Sequence, residues 1–303
     1  MGKSQRPLNQ QVLVITGASS GIGLAVADVA ARKGARLVLA SRSQRTLEGV
    51  AQKINAAGGE AVYVVADVAT RADVERIATT AIAQFGRIDT WINNAGLSIY
   101  GRLDEVREED SRRLFDVNFW GVVNGSLVAL PHLKMSKGTL INIGSEVSDA
   151  VLPLQGMYAA SKHAVKGFTD ALRVEVQEVD KLPVTITLIQ PTAVNTPFPQ
   201  HAKNYMTAEP KLPEPQLDPN VVAEAIVRAA EFPSRDVRVG MLARLNTAAA
   251  KLTSTLSEKM FAVHAHTQQH DLAPIDPEGT LYKPGEAGTK RGQISRQDHR
   301  QAH

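Results

Sequence analysis

Val12-Leu13-Val14-Ile15-Thr16-Gly17-Ala18-Ser19-Ser20-Gly21-Ile22-Gly23 is the stretch that decides the fold. Val12 to Ile15 is a short, unbroken apolar run, which reads as a strand buried on both faces. It runs straight into three glycines and then into the helical pattern Leu24 to Lys33. Strand, glycine turn and helix in succession open a βαβ unit. Glycine tolerates positive φ and lets a ligand approach the backbone, while the N–H groups at the helix start attract a phosphate. A dinucleotide diphosphate fits there. A glycine triplet alone is equally a tight turn; the elements on either side give it weight.

Further apolar runs at 37–40, 62–66, 88–92, 140–143 and 184–189 alternate with helical stretches. That alternation predicts an α/β fold, a parallel sheet with helices on both faces, and Val237 to Gly240 supplies a short seventh strand at the edge. Residues 8–240 read as one domain without internal repeats.

Tyr158 and Lys162 carry the chemistry. Tyr158, Val165, Phe168, Leu172 and Val176 recur at three- and four-residue steps, so a helix is predicted from Tyr158 to Val176 with Lys162 one turn beyond the phenol. A cation beside a phenol lowers its pKa from about 10, which suits proton exchange near neutrality. Ser145, thirteen residues upstream, ends an apolar run and brings a hydroxyl to the same place. Phenol, ammonium and hydroxyl together are the groups of carbonyl reduction or alcohol oxidation. The bland alternative is a packed ring beside a solvated amine.

Glycines at 17, 21 and 23 are spaced more widely than in the usual Gly-x-Gly-x-x-Gly turn. The segment resembles the Thr-Gly-x-x-x-Gly-x-Gly of the short-chain dehydrogenase/reductase family. Asn93-Asn94-Ala95-Gly96 resembles that family's Asn-Asn-Ala-Gly, Asn118 its catalytic asparagine, and Pro191 to Thr196 its Pro-Gly-x-x-x-Thr, over roughly residues 8 to 240. The resemblance implies a single Rossmann-like doubly wound domain with strand order 3-2-1-4-5-6-7. It implies a catalytic tetrad of Asn118, Ser145, Tyr158 and Lys162: Tyr158 as acid in reduction and base in oxidation, Ser145 on the substrate oxygen, Lys162 also on the nicotinamide ribose, and Asn118 supporting a water relay. It further implies a dinucleotide held by Gly17, Ser19, Ser20, Gly21, Ile22 and Gly23, by Ser41 and Arg42, by Asp67 at the adenine with Val68, by Asn94, Ala95 and Gly96, by Tyr158 and Lys162, and by Pro191, Thr192, Val194 and Thr196. Thr192 departs from the pattern, standing where the family has glycine.

The second strand ends in Ser41-Arg42 rather than in a carboxylate. An acidic residue there binds the ribose hydroxyls of NAD, whereas a small hydroxyl followed by arginine suits the 2′-phosphate of NADP. NADP(H) is the expected cofactor, NAD(H) the alternative, and Arg45 a candidate assistant. The expected function is hydride transfer between NADP(H) and a ketone or secondary alcohol. An NADP(H)-binding scaffold or sensor without turnover is the rival from another class, and an isomerase or dehalogenase on the same fold a third.

Among 303 residues there is no cysteine, which rules out disulfides and thiolate catalysis, and the formal charge of +3 is too small to imply nucleic acid. No run of about twenty apolar residues marks a transmembrane segment, so a cytoplasmic protein is expected. His132, His163 and His201 lack a mutual metal-ligand spacing and read as solvated or packed; no metal is expected. Trp91 and Trp120 read as core. Glu146 reads as a solvated charge or a substrate contact. Six prolines between Pro197 and Pro219 predict a loop over the site. Leu97, Ile99, Val151, Leu152, Met157 and Phe198 are candidates for an apolar pocket wall.

Beyond Gly240, Leu242, Leu245, Ala249, Leu252, Leu256 and Met260 predict an amphipathic helix over 241–264. Residues 265–303 read as an extended or flexible tail, anchored through Leu281 and Tyr282 on its own core or on a neighbouring subunit. Helix and tail together are expected to stabilise a homodimer or homotetramer and to cover part of the substrate mouth.

Overall fold

In a computed structural model of the chain, described over residues 5–240, 268–285 and 288–292, β1 (Val12–Thr16) lies at the centre of the sheet with all five residues buried. It pairs in parallel with β2 (Arg36–Ser41) on one side and β4 (Thr90–Asn93) on the other. Beyond these lie β3 (Glu60–Val65), β5 (Thr139–Ile143), β6 (Thr185–Pro191) and β7 (Asp236–Val239), giving the order β3-β2-β1-β4-β5-β6-β7 with every neighbour parallel. Parallel strands need crossovers, and the helices that supply them cover both faces. The expected doubly wound fold and its strand order are present.

Side chains of β1 alternate between two cores. Leu13 and Ile15 join residues of α1 (Gly21–Arg32), α2 (Gln44–Ala56) and α7 (Pro219–Glu231) on one face. Val14 joins residues of α3 (Arg71–Phe85), α4 (Glu108–Phe115), α5 (Gly121–Ser136) and α6 (Gly156–Arg173) on the other. The two-residue period of a strand feeds both layers at once. Between β1 and β4 the order of strands reverses, which opens a crevice at their C-terminal ends, the usual ligand position in such sheets.

α6 begins at Gly156 and continues past Arg173 as a π-helical turn, Val174–Val179. The proline-rich stretch holds a single short helical turn, Phe198–His201, and Lys203–Asn204 pairs in parallel with Ile99–Tyr100. Trp91 is fully buried, but Trp120 is 53% exposed, correcting its reading as core: it ends the π-helical turn Asp116–Trp120 between α4 and α5. Its ring meets only the edge of Phe119, at 5.3 Å between centroids, among the described aromatic contacts.

The helix predicted over 241–264 lies outside the described residues. Residues 268–285 run back over the chain's own core, and Leu281 is fully buried in the α3–α6 layer. Among the described residues no helix is long and apolar enough to cross a membrane.

Candidate active site

The turn after β1 is built by backbone freedom and one hydroxyl. Gly17 has φ of +68°, and a Cβ there would lie 2.8 Å from the Ala95 Cα, so only glycine lets the two strand ends approach. A Cβ on Gly23 would stand 2.2 Å from the Gly17 carbonyl; this glycine seats α1 against the turn and does not line the cavity. Thr16 Oγ1 accepts the Asn94 and Ala95 amides at 3.0 and 3.1 Å, and Asn94 Nδ2 returns a bond to the Thr16 carbonyl at 2.9 Å. The first and fourth strand ends are thereby latched into one floor.

Above that floor one cavity is lined by Gly17, Ser19, Ser20, Gly21 and Ile22, by Ser41 and Arg42, by Asp67 and Val68, and by Asn94, Ala95 and Gly96. The same cavity continues to Ser145, Tyr158, Lys162, Pro191, Thr192, Val194 and Thr196. Asn118 is the remaining expected site residue. It is fully buried behind the wall, where its amide accepts from the Leu97 N–H at 2.8 Å and donates to the Leu97 carbonyl at 2.9 Å. It holds the Gly96–Leu97 backbone as a strand partner would.

Ser145 leaves β5 in an extended conformation and caps the short turn Glu146–Ser148, accepting the Val147 amide at 3.3 Å. Its hydroxyl is near enough to the Tyr158 phenol to oppose the rise of the phenol's pKa. Lys162 donates to the Ile143 carbonyl at 2.9 Å and stands 5.7 Å from the centre of the Tyr158 ring. The expected lowering of the phenol pKa is not what this arrangement gives. Desolvation pushes Tyr158 up to about 12, against the Ser145 hydroxyl and with the Glu146 carboxylate adding to the rise. Burial brings Lys162 down to about 8. The ammonium stays charged at neutral pH, and desolvation of the phenol outweighs it.

A chain of buried amides fixes α6, which carries both groups. Trp91 Nε1 donates to Asn93 Oδ1 at 2.8 Å, Asn93 Nδ2 to Asn142 Oδ1 at 2.9 Å, Asn142 Nδ2 to Thr169 Oγ1 at 3.0 Å, and Thr169 Oγ1 to the Val165 carbonyl at 2.7 Å. The chain crosses from β4 through β5 into α6.

At the other end of the cavity, Arg42 projects from the end of β2 and is half-buried; desolvation lowers its pKa, with Asp67 opposing and Arg113 adding to the effect. Asp67 accepts the Ala69 amide at 3.0 Å and forms an ion pair with Arg113. Arg45 is exposed and away from the cavity. The Thr192 side chain packs on Gly240, where a Cβ would lie 2.5 Å from its Cγ2 and φ is +106°. The threonine found in place of glycine is thus matched by a glycine at the end of the neighbouring β7.

Of the expected pocket wall, Leu97, Leu152 and Phe198 line the cavity, and Phe198 packs 5.4 Å from the Tyr158 ring. Ile99 and Met157 do not line it, the first being fully in the core, and Val151 is 52% exposed. His201 lines the cavity rather than serving only as a packed ring, and burial lowers its pKa. Gln155, Thr280, Pro284 and Gly285 also face in. No sequence signal marks them, because each arrives from a loop or the tail by tertiary folding.

The short-chain dehydrogenase model matches residues 11–206. The chain belongs to the short-chain dehydrogenase family. This short-chain dehydrogenase is 40% identical over 296 residues to the oxidoreductase YxnA of Bacillus subtilis, covering 95% of this chain and 83% of the relative. It is 36% identical over 220 residues to 11-beta-hydroxysteroid dehydrogenase A of Sesamum indicum, covering 72% of this chain and 62% of that one. An alcohol dehydrogenase of Thermococcus sibiricus complexed with 5-hydroxy-NADP superposes with a TM-score of 0.66 at 31% identity, covering 76% of this chain and 94% of the other. A short-chain dehydrogenase of Burkholderia phymatum in complex with NAD gives 0.70 at 27%, covering 90% and 99%.

Proposed function

We propose that this short-chain dehydrogenase transfers hydride between NADP(H) and a ketone or secondary alcohol, with Tyr158 as the proton donor and acceptor. The observation that carries the reading is one continuous cavity with Arg42 at one end and Ser145, Tyr158 and Lys162 at the other. Its bed is suited to a dinucleotide: Gly17 and Gly96 leave bare backbone, α1 presents its positive end, and Lys162 Nζ lies 3.7 Å from where a Gly96 Cβ would stand. Bound, the nicotinamide supplies or takes the hydride.

This chain's residues do the rest. The phenol of Tyr158, neutral at pH 7, holds its proton until a substrate oxygen gains negative charge. Ser145, beside that phenol, orients the same oxygen. Leu97, Leu152 and Phe198 exclude water, which strengthens both contacts. Arg42 and the lack of a carboxylate at Ser41 support NADP(H); the relatives carried an NADP analogue in one case and NAD in the other. The exposed Trp120, Leu127 and Val174 support a homodimer or homotetramer. The test is NADPH absorbance against a panel of ketones, aldehydes, steroids and quinones, with NADH in parallel. Nucleotide binding without turnover of any substrate would leave the sensor reading instead.

A further inference from the structure

Two stretches near the C-terminus, 276–285 and 288–292, cross the open side of the dinucleotide groove. The crossing begins at the loop after β6. Thr280 donates its amide and hydroxyl to the His201 carbonyl at 2.8 and 3.1 Å, and Lys203 forms an ion pair with Glu278 at 2.6 Å. Gly279, at φ of +55°, lies so near Ala202 that a Cβ would stand 2.4 Å from its carbonyl.

The segment then reaches the far end of the groove. Leu281 is driven into the core, and the Tyr282 hydroxyl donates to Asp110 at 2.7 Å. The Arg42 guanidinium donates to the carbonyls of Thr280 and of Leu281, the latter at 3.1 Å, while Arg113 Nε reaches the same Leu281 carbonyl at 3.3 Å. The second stretch returns along the groove. The Gly21 amide, the first N–H of α1, donates to the Thr289 carbonyl at 2.9 Å. Lys290 pairs with Asp28, Arg291 with Asp218, and the Gly292 amide donates to Asn195 at 3.2 Å.

We propose that these stretches are a strap forming the outer wall of the dinucleotide site, which aims the Arg42 guanidinium and must lift for a nucleotide to enter or leave. The inference rests on the groove being a dinucleotide site. The Thr289 carbonyl, 2.9 Å from the Gly21 amide, takes up a donor of the diphosphate's bed, so a nucleotide settling there must displace the strap. Thr280, Pro284 and Gly285 line the cavity together with Gly17 and Arg42, which makes the strap a wall and not a neighbour. Two N–H groups of Arg42 are held by strap carbonyls, so its remaining donors face a fixed direction. The attachments are the buried Leu281 and Thr280, part-buried hydrogen bonds to Arg42 and Asp110, and ion pairs of which Lys290–Asp28 and Arg291–Asp218 lie toward the surface, so the strap can release locally without loss of the sheet.

The chain has no cysteine, so a paired variant, D28C with K290C, can be joined specifically by a short bis-maleimide. Neither residue lines the cavity. Stopped-flow fluorescence with NADPH and with NADH, on the same protein before and after cross-linking, reads association and release. Joining the strap to α1 is expected to slow both by at least tenfold for whichever nucleotide binds. Leu281→Ser, which unseats the strap, is expected to speed release at least tenfold. Rates unchanged by the cross-link overturn the strap while leaving the dinucleotide site intact. Failure of the uncross-linked protein to bind either nucleotide removes the site, and the strap with it.

Discussion

Lys162 Nζ donates a hydrogen bond to the Ile143 carbonyl at 2.9 Å and stands 5.7 Å from the centre of the Tyr158 ring. The two side chains stand one helical turn apart, and burial drives their pKa values in opposite directions, the phenol up to about 12 and the ammonium down to about 8. The ammonium is strained by its surroundings, which makes it testable by stability as well as by rate.

Lys162→Met is expected to abolish turnover and to stabilise the nucleotide-free protein at pH 7. The fall from 10.5 to about 8 corresponds to about 3 kcal/mol. Loss of the Ile143 hydrogen bond takes back about 1 kcal/mol, leaving a net gain of about 2 kcal/mol. Below pH 8 the lysine is charged both folded and unfolded, so the wild type bears the full penalty there. Between 8 and 10.5 the unfolded chain holds the extra proton, wild-type stability rises with pH, and the variant's advantage shrinks. Melting temperatures at pH 7 and pH 10 check this; a variant less stable at pH 7 would refute the burial penalty.

Tyr158→Phe keeps the ring that packs on Phe198 and removes only the hydroxyl. Turnover is expected to fall by about 10²–10⁴ with NADPH affinity nearly unchanged, since proton transfer matters in the transition state alone. Activity within about tenfold of wild type would take Tyr158 out of the acid's role.

Ser41→Asp with Arg42→Ala exchanges a cation for a carboxylate at the end of β2. The ratio of kcat/KM for NADPH over NADH is expected to drop by about 10–100-fold, the worth of charge-assisted hydrogen bonds to a phosphate. A wild type already preferring NADH would contradict the reading before any variant is made.

Gly23→Ala and Gly49→Ala separate packing from propensity. At Gly23 the new methyl meets the Gly17 carbonyl at 2.2 Å, so a loss of about 1–3 kcal/mol and weaker nucleotide binding are expected. At Gly49, within α2, nothing lies within 4 Å, and a gain of about 1 kcal/mol is expected. Urea denaturation of both reads the contrast; equal effects would show that the Gly23 contact is relieved by movement of the turn.

The sheet was legible because its strands are continuous apolar runs and the turn after β1 demands glycine. The closeness of Tyr158 and Lys162 was legible because both lie on one helix, where spacing fixes proximity. The direction of the phenol's pKa was not, since its desolvation depends on groups such as Ser145 and Phe198 that only tertiary folding brings to the ring. Trp120 was misread for a related reason: a π-helical turn rotates the face that a regular helix would bury. His201 and Thr280 reach the cavity from segments without periodicity, so neither spacing nor composition marks them.

The amide chain from Trp91 to Val165 has a direction. Every link donates the same way, and the last oxygen is a backbone carbonyl that can only accept. Apolar surfaces can slide by a residue and still be covered, but a one-way chain cannot be shifted or reversed without stranding a buried donor. α6 is therefore indexed to β4 and β5 by polarity rather than by shape, and the helix that holds Tyr158 and Lys162 has a single permitted seating.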